Sequence, residues 1–206
     1  MNKNFYLVLV VVLALVGFSS FAVVNPSSVK IKVYGVAVSL TADCASPTAI
    51  FSSTTGAEVD FVSALTLGSG NPADGTYNCV MITMSDTIKV TPATSEGACV
   101  AGTETSGGVC HDENTDLFDG TSSSSVACTD GDDKVTLYLH TGTTRTDGGT
   151  AFQKPTSTSD DAHGFALSSA FVVAGTTSGT FIANFTGKVV DGGSECGLNP
   201  PVFGFR

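Results

Sequence analysis

Tryptophan is absent from this 206-residue chain, glutamine occurs once and histidine three times. Basic residues are also few: nine Lys+Arg stand against nineteen Asp+Glu, a formal net charge of −10. A polyanion does not track a phosphate backbone, which excludes nucleic acid as a first-choice partner. Good helix formers are scarce too. Beyond residue 22 there are eight Leu and five Glu against 27 Thr, 21 Ser and 22 Gly. β-Branched, hydroxyl and turn residues dominate, which argues against an all-α fold and a doubly wound α/β fold. No C-x-x-C pair, G-x-S-x-G, H-E-x-x-H or phosphate-loop glycine pattern occurs, so no motif names a reaction. With no Trp and four Tyr, a module that stacks sugars on exposed aromatics is disfavoured, although a calcium-mediated lectin stays open.

What the chain does have begins with its first 22 residues. Phe5 to Phe18 reads FYLVLVVVLALVGF, fourteen apolar or near-apolar positions behind Lys3. That length suits a signal-peptide core and falls short of the ~20 residues that span a bilayer. Ser20-Phe21-Ala22 places small residues at −3 and −1, so residues 1–22 read as a signal peptide cleaved after Ala22. An uncleaved anchor is the alternative, because Phe21–Val24 would lengthen the apolar run. The first cysteine is Cys44 and the first acidic residue is Asp43, so neither a lipobox nor a type IV pilin leader fits. N-terminal sequencing of exported protein is expected to start at Val23; Met1 retained on a membrane-bound product would select the anchor. Residues 23–206 then form a single disulfide-braced domain with no membrane span, secreted, periplasmic or at the cell surface.

All six cysteines, Cys44, Cys79, Cys99, Cys110, Cys128 and Cys196, lie in the exported part. An even count there reads as disulfides, with fifteen possible connectivities. The three histidines are not spaced with the cysteines as zinc ligands would be.

Val29-Lys-Ile-Lys-Val33 alternates as a half-buried strand does. The apolar set then changes phase at Gly35 and continues as Tyr34, Val36, Val38 and Leu40, which predicts a β-bulge. Residues 58–67 read as a strand or a short helical turn. Val80, Ile82, Met84, Ile88 and Val90 share one parity, with Ser85-Asp86 marking either a hairpin turn or a point inside one long strand. From Pro92 to Asp133 no periodic apolar set exists. Loops of that length are usually functional or tied down, and Cys99, Cys110 and Cys128 fall inside this excursion. With three cysteines inside and three outside, one or three bridges must join excursion and body; one is expected, with Cys99–Cys110 or Cys110–Cys128 closing a local loop. Val135, Leu137 and Leu139 resume the pattern. Two late runs, Phe165 to Val173 and Phe181 to Val189, flank Gly175-Thr-Thr-Ser-Gly179 and predict a hairpin. The fold expected is all-β, a single antiparallel β-sandwich or open barrel of six to nine strands, with a long disulfide-tied excursion at about 93–133.

Leu65 to Val90 contains Gly-Ser-Gly and then Asp74-Gly-Thr-Tyr77 ahead of an alternating strand. This Gly-x-Tyr strand start resembles prealbumin-like secreted β-sandwich domains of unassigned function. The resemblance covers about 25 residues; it implies the fold and no activity.

Asp112-Glu-Asn114-Thr-Asp116, followed by Asp119, offers alternate oxygen ligands of the kind that converge on Ca²⁺. The EF-hand pattern fails at Leu117, where glycine is needed, and at Ser123, where a bidentate Glu is needed. Asp130 and Asp132 extend the candidate metal set, and solvated acidic turns are the alternative reading. No catalytic residue and no cofactor is called for otherwise. His111 and His163 sit in polar stretches and His140 ends a strand. Asn184-Phe185-Thr186 fits N-x-T but falls within a strand pattern. The leading functional reading is an exported, non-enzymatic structural or cell-surface protein: envelope-associated, a filament subunit or adhesive. Self-association could use the first strand, apolar and close to the N-terminus, donated to a neighbour's sheet edge. An extracellular ligand-binding module, calcium-dependent or not, is the second reading and a hydrolase the third. Calcium-dependent melting separates a metal-loop module from a purely structural one.

Overall fold

The computed structural model describes residues 23–63, 72–108, 134–141, 167–175, 181–193, 195–199 and 201–205. Twelve strands and no helix occur among them. They are β1 (Val23–Val24), β2 (Pro26–Ser39), β3 (Thr48–Asp60), β4 (Gly75–Tyr77), β5 (Cys79–Pro92), β6 (Thr105–Gly108), β7 (Val135–His140), β8 (Phe171–Val173), β9 (Phe181–Asn184), β10 (Val189–Asp191), β11 (Cys196–Leu198) and β12 (Val202–Phe205). Every strand pair is antiparallel. The main sheet runs β3-β2-β5. Along the far side of β5, β7 pairs Cys79–Met84 and β6 pairs Thr87–Val90. Three small sheets, β1-β10-β11, β9-β12 and β4-β8, make the second layer. The all-β, sandwich-like expectation holds, and the sheets do not close into a barrel.

The core lies between the layers. Val29, Ile31, Val33, Val36 and Val38 of β2, Val80, Ile82, Met84, Ile88 and Val90 of β5, and Val135, Leu137 and Leu139 of β7 enter it from the main sheet. Phe171, Phe181, Val189, Leu198 and Phe203 meet them from the small sheets. Period-2 alternation puts one parity of a strand on one face; in β2 the core parity changes from odd to even across Gly35, as its apolar residues do. Leu40 departs from the pattern and is 56% exposed, because β2 ends at Ser39 before it.

The bulge expected at Gly35 is present. Pairing slips between Val33 and Gly35 against both β3 and β5. On β3 the slip spans Ser52 to Ala57, and Gly56 turns within it at φ +72°. A Cβ on Gly56 would sit 2.9 Å from Lys32 and from the Tyr34 ring, so both the conformation and the space favour glycine there. Ser85-Asp86 resolves as a second irregularity: β5 is one strand, with residues 85–87 opposite the single residue Lys32.

Four expectations are corrected. Strands number twelve among the described residues, not six to nine, because the second layer is built from pieces of two to four residues. The late hairpin does not form: β8 pairs β4 and β9 pairs β12. The 93–133 excursion is not loop throughout, since Thr105–Gly108 adds a strand to β5. That strand carries Thr-Ser-Gly-Gly, so it is secured by its backbone pairing, with the Thr105 hydroxyl donating to the Val90 carbonyl at 3.4 Å. Finally, β2 lies inside the main sheet with hydrogen-bonded neighbours on both sides. The strand read as a donor is therefore used by its own chain, and donating it would empty the sheet's centre.

Candidate functional site

The outer face of the main sheet divides in two. Near the β2 start and the β5 end it is charged: Lys30 Nζ meets Glu104 at 3.1 Å and Lys89 Nζ meets Glu58 at 3.2 Å. The hydrogen bond from Lys30 to Glu104, and then the carboxylate's charge, hold the lysine pKa above its ordinary value. Both pairs are well exposed, a setting in which ion pairs contribute little stability. Midway along the sheet, Lys32 and Lys134 place their ammonium groups 5.0 and 4.6 Å from the Tyr34 ring centroid, within cation–π range.

Past the Gly35 bulge the outer face is buried as well, and its residues form rows fixed by the register. Ser39, Cys79 and His140 share one row; Ala37, Met81 and Tyr138 the next; Gly35, Thr83 and Thr136 the third. Ser39, Thr83, Thr136 and His140 are all buried, and the Thr83 and Thr136 hydroxyls hydrogen-bond at 3.0 Å. Here both faces of the sheet are dry, as in strands that read as continuous uncharged runs. Cys79-Val-Met-Ile-Thr-Met84 and Val135-Thr-Leu-Tyr-Leu-His140 are such runs. Cys44 bonds Cys79 beside this face, with Cα atoms 5.4 Å apart. The loop carrying it holds Cys44 and Ser46 at positive φ, and Ser39 Oγ donates to the Ala45 carbonyl.

A second constellation fastens the turn after β5 to the opposite layer. Glu96 and Cys99 exchange backbone hydrogen bonds of 2.8 and 2.9 Å. Asp191 Oδ1, on β10, accepts N–H bonds from Ala98 at 3.0 Å and Gly193 at 2.9 Å. Cys99 bonds Cys196 of β11, with Cα atoms 4.7 Å apart. Those two N–H donors, Ala98 first, hold the Asp191 pKa below its ordinary 3.8. No family model, curated protein or solved structure matches this chain. Function is therefore argued from this geometry alone.

Of the residues singled out in the sequence, Cys44, Cys79, Cys99 and Cys196 form two disulfides. Cys99 supplies the bridge from excursion to body, so a Cys99–Cys110 loop is overturned. Cys110, Cys128, His111, His163 and the candidate calcium ligands Asp112, Asn114, Asp116, Asp119, Asp130 and Asp132 lie outside the described residues, as does the leader. Among the described residues no three His, Cys, Asp or Glu side chains group as a metal site, and no helix is long and apolar enough to cross a membrane. His140 ends β7 as expected but is buried opposite Cys79. Asp191 and the buried hydroxyl rows were missed. The uncharged runs signal the rows; nothing local distinguishes Asp191 from any turn aspartate.

The Asp191 clasp gives a test. Gly97 sits at φ +53°, and a Cβ there would run into the Asp191 carboxylate. Gly97→Ala is expected to destabilise by more than about 1 kcal/mol, since alanine fits neither the φ nor the space. A depressed folded-state pKa contributes stability that is complete above the ordinary value and lost as pH falls through the lowered one. Stability of the parent chain should therefore fall on acidification from near pH 3.8 downward more steeply than that of Asp191→Asn. Parallel acid titrations followed by circular dichroism check this, and curves of equal steepness for the two proteins would show the clasp to be unimportant.

Proposed function

We propose that the mature chain is an exported, non-enzymatic structural or cell-surface module: envelope-associated, a filament subunit or adhesive. The observation that carries this reading is the pair of disulfides. Each ties a loop of the main sheet down, one within that sheet's own segment and one to the second layer, and such bonds persist in oxidising compartments outside the cytosol. Stapled loops and a sheet end dry on both faces suit a rigid building element.

Assembly has a sheet edge to use. β3 is the outermost strand of the main sheet and pairs only β2 among the described residues. Thr48 and Ala49 are exposed, and Thr48 to Ala57 carries no charge. Natural proteins usually block long uncharged edges with lysine or proline. The test is electron microscopy and sizing of the disulfide-intact mature chain, together with surface labelling of producing cells. Fibres or oligomers on an exported protein, dispersed by Thr48→Lys with Thr54→Lys, are expected. A monomeric, reduced, cell-internal protein would overturn the reading.

A further inference from the structure

Asn184-Phe185-Thr186 is the one N-x-[ST] triplet, with x other than proline, in the chain. Such a triplet accepts an Asn-linked glycan only where a transferase can reach it. A strand interior would deny that access, which is the objection raised by the sequence pattern. The structure removes it. Asn184 is the last residue of β9, and the backbone leaves the sheet at once into a turn: Lys188 N–H donates to the Phe185 carbonyl at 3.0 Å, with Gly187 at φ +63°. Asn184 and Thr186 are exposed while Phe185 between them is buried. The turn is thus anchored by its middle residue and offers both recognition residues to solvent.

The asparagine side chain is also set in place. Its Oδ1 accepts the Thr186 N–H at 2.9 Å, an Asx turn of the kind asparagine makes with the residue two positions on. Only Oδ1 is engaged; Nδ2 makes no hydrogen bond among the described residues. The turn is held from outside too, since Gly187 N–H donates to Asn25 Oδ1 at 2.7 Å. Asn25-Pro26-Ser27 is barred from the same chemistry by its proline.

The surroundings suit a bulky, partly apolar substituent. Val202 is the cross-strand partner of Asn184, so both side chains lie on one face of the pair, and Val202 is 50% exposed. Val23, 54% exposed, lies next to Gly187, 3.8 Å from where a Cβ would be. Two uncovered valines thus flank the triplet.

We propose that Asn184 is an N-glycan acceptor in the folded chain. The donor is a lipid-linked oligosaccharide. Asn184 Nδ2 attacks the anomeric carbon, forming the N–C bond and giving up one proton to a base of the transferase. The bond from that carbon to the phosphate oxygen breaks, and its electron pair leaves with the lipid phosphate. Threonine at 186 serves through its hydroxyl, so serine replaces it and alanine does not. The proposal rests on the exported reading only in that such transferases act on exported chains.

The test supplies enzyme and donor directly. The folded, disulfide-intact chain 23–206 is incubated with an oligosaccharyltransferase and its lipid-linked oligosaccharide, beside a peptide spanning residues 183–188 as acceptor control. Peptide mass mapping should find one glycan, on Asn184, absent from Asn184→Gln and Thr186→Ala and retained in Thr186→Ser. All three variants should melt where the parent does. A glycosylated control peptide beside an unmodified folded chain, or modification only after reduction and unfolding, would overturn the proposal. Either result leaves export untouched, because no membrane crossing enters the assay.

Discussion

Replacing Cys99 and Cys196 together is expected to cost the mature chain more stability than replacing Cys44 and Cys79. The two bridges close loops of very different length, with sequence separations of 97 and 35 residues. In the chain-entropy account, the longer is worth about 4.7 kcal/mol and the shorter about 3.8 kcal/mol. Folded domains are stable by only about 5–15 kcal/mol in all, so either loss is large and the longer one can unfold the chain at moderate temperature. Position reinforces the order. Cys44–Cys79 joins two segments of the main sheet that β2–β5 pairing already holds together. Cys99–Cys196 joins the turn after β5 to β11, in the other layer, where the Ala98 N–H bond to Asp191 ties the same turn to β10. Urea unfolding of the two double alanine variants under non-reducing conditions measures the difference directly. Equal midpoints, or a larger loss for the shorter loop, would show that native packing around the bridges outweighs loop closure. The same logic fixes the last pair. With Cys44–Cys79 and Cys99–Cys196 formed, Cys110–Cys128 is the one pairing left within the chain, and a disulfide-linked peptide containing both is the expected result of non-reducing mapping; a bridge from either cysteine to a second chain would overturn it.

The long strands were legible because their side chains obey one period over many residues. Val29 to Val38 and Val80 to Val90 reach the core in the parity the sequence gives them, and the phase change at Gly35 is a bulge in the pairing. The second layer was not legible. β4, β8, β10 and β11 have three residues each, too few for a period to register, and partners far apart in sequence decide their pairing. That is why Phe171–Val173 and Phe181–Asn184 looked like one hairpin yet pair Gly75–Tyr77 and Val202–Phe205. β6 was invisible for another reason: Thr-Ser-Gly-Gly buries no apolar side chain and joins the sheet through its backbone. The disulfide partners lay beyond local reading as well. Parity limited the number of bridges between excursion and body, but only the layer geometry selects Cys196 for Cys99.

Because the second layer is made of short pieces, its cohesion must come from side chains, and Phe181→Ala is expected to be among the most damaging single substitutions there. Two-stranded sheets are marginal by themselves, and β9-β12 and β4-β8 are both of that kind. Aromatic contacts join them. Phe171 of β8 stacks on Phe205 of β12 with centroids 4.4 Å apart and tilts against Tyr77 of β4 at 6.0 Å. Phe181 of β9 completes the series, 5.2 Å from Phe205 and 5.5 Å from Phe203. Its side chain is buried in the core. Truncating a buried phenylalanine to alanine costs about 3–5 kcal/mol through lost burial and the cavity left behind, and aromatic pairs add about 0.5–1.5 kcal/mol each beyond area. The sheets flanking the gap are too short to collapse into it without losing backbone pairs, so the upper part of that range is expected. Val172, in β8 but exposed, supplies the control: Val172→Ala should stay within about 0.5 kcal/mol of the parent, as surface substitutions usually do. Denaturant midpoints for the two variants and the parent decide it. A Phe181→Ala protein as stable as Val172→Ala would mean that the small sheets are held by their backbone pairing and the disulfide, and that the aromatic series contributes little.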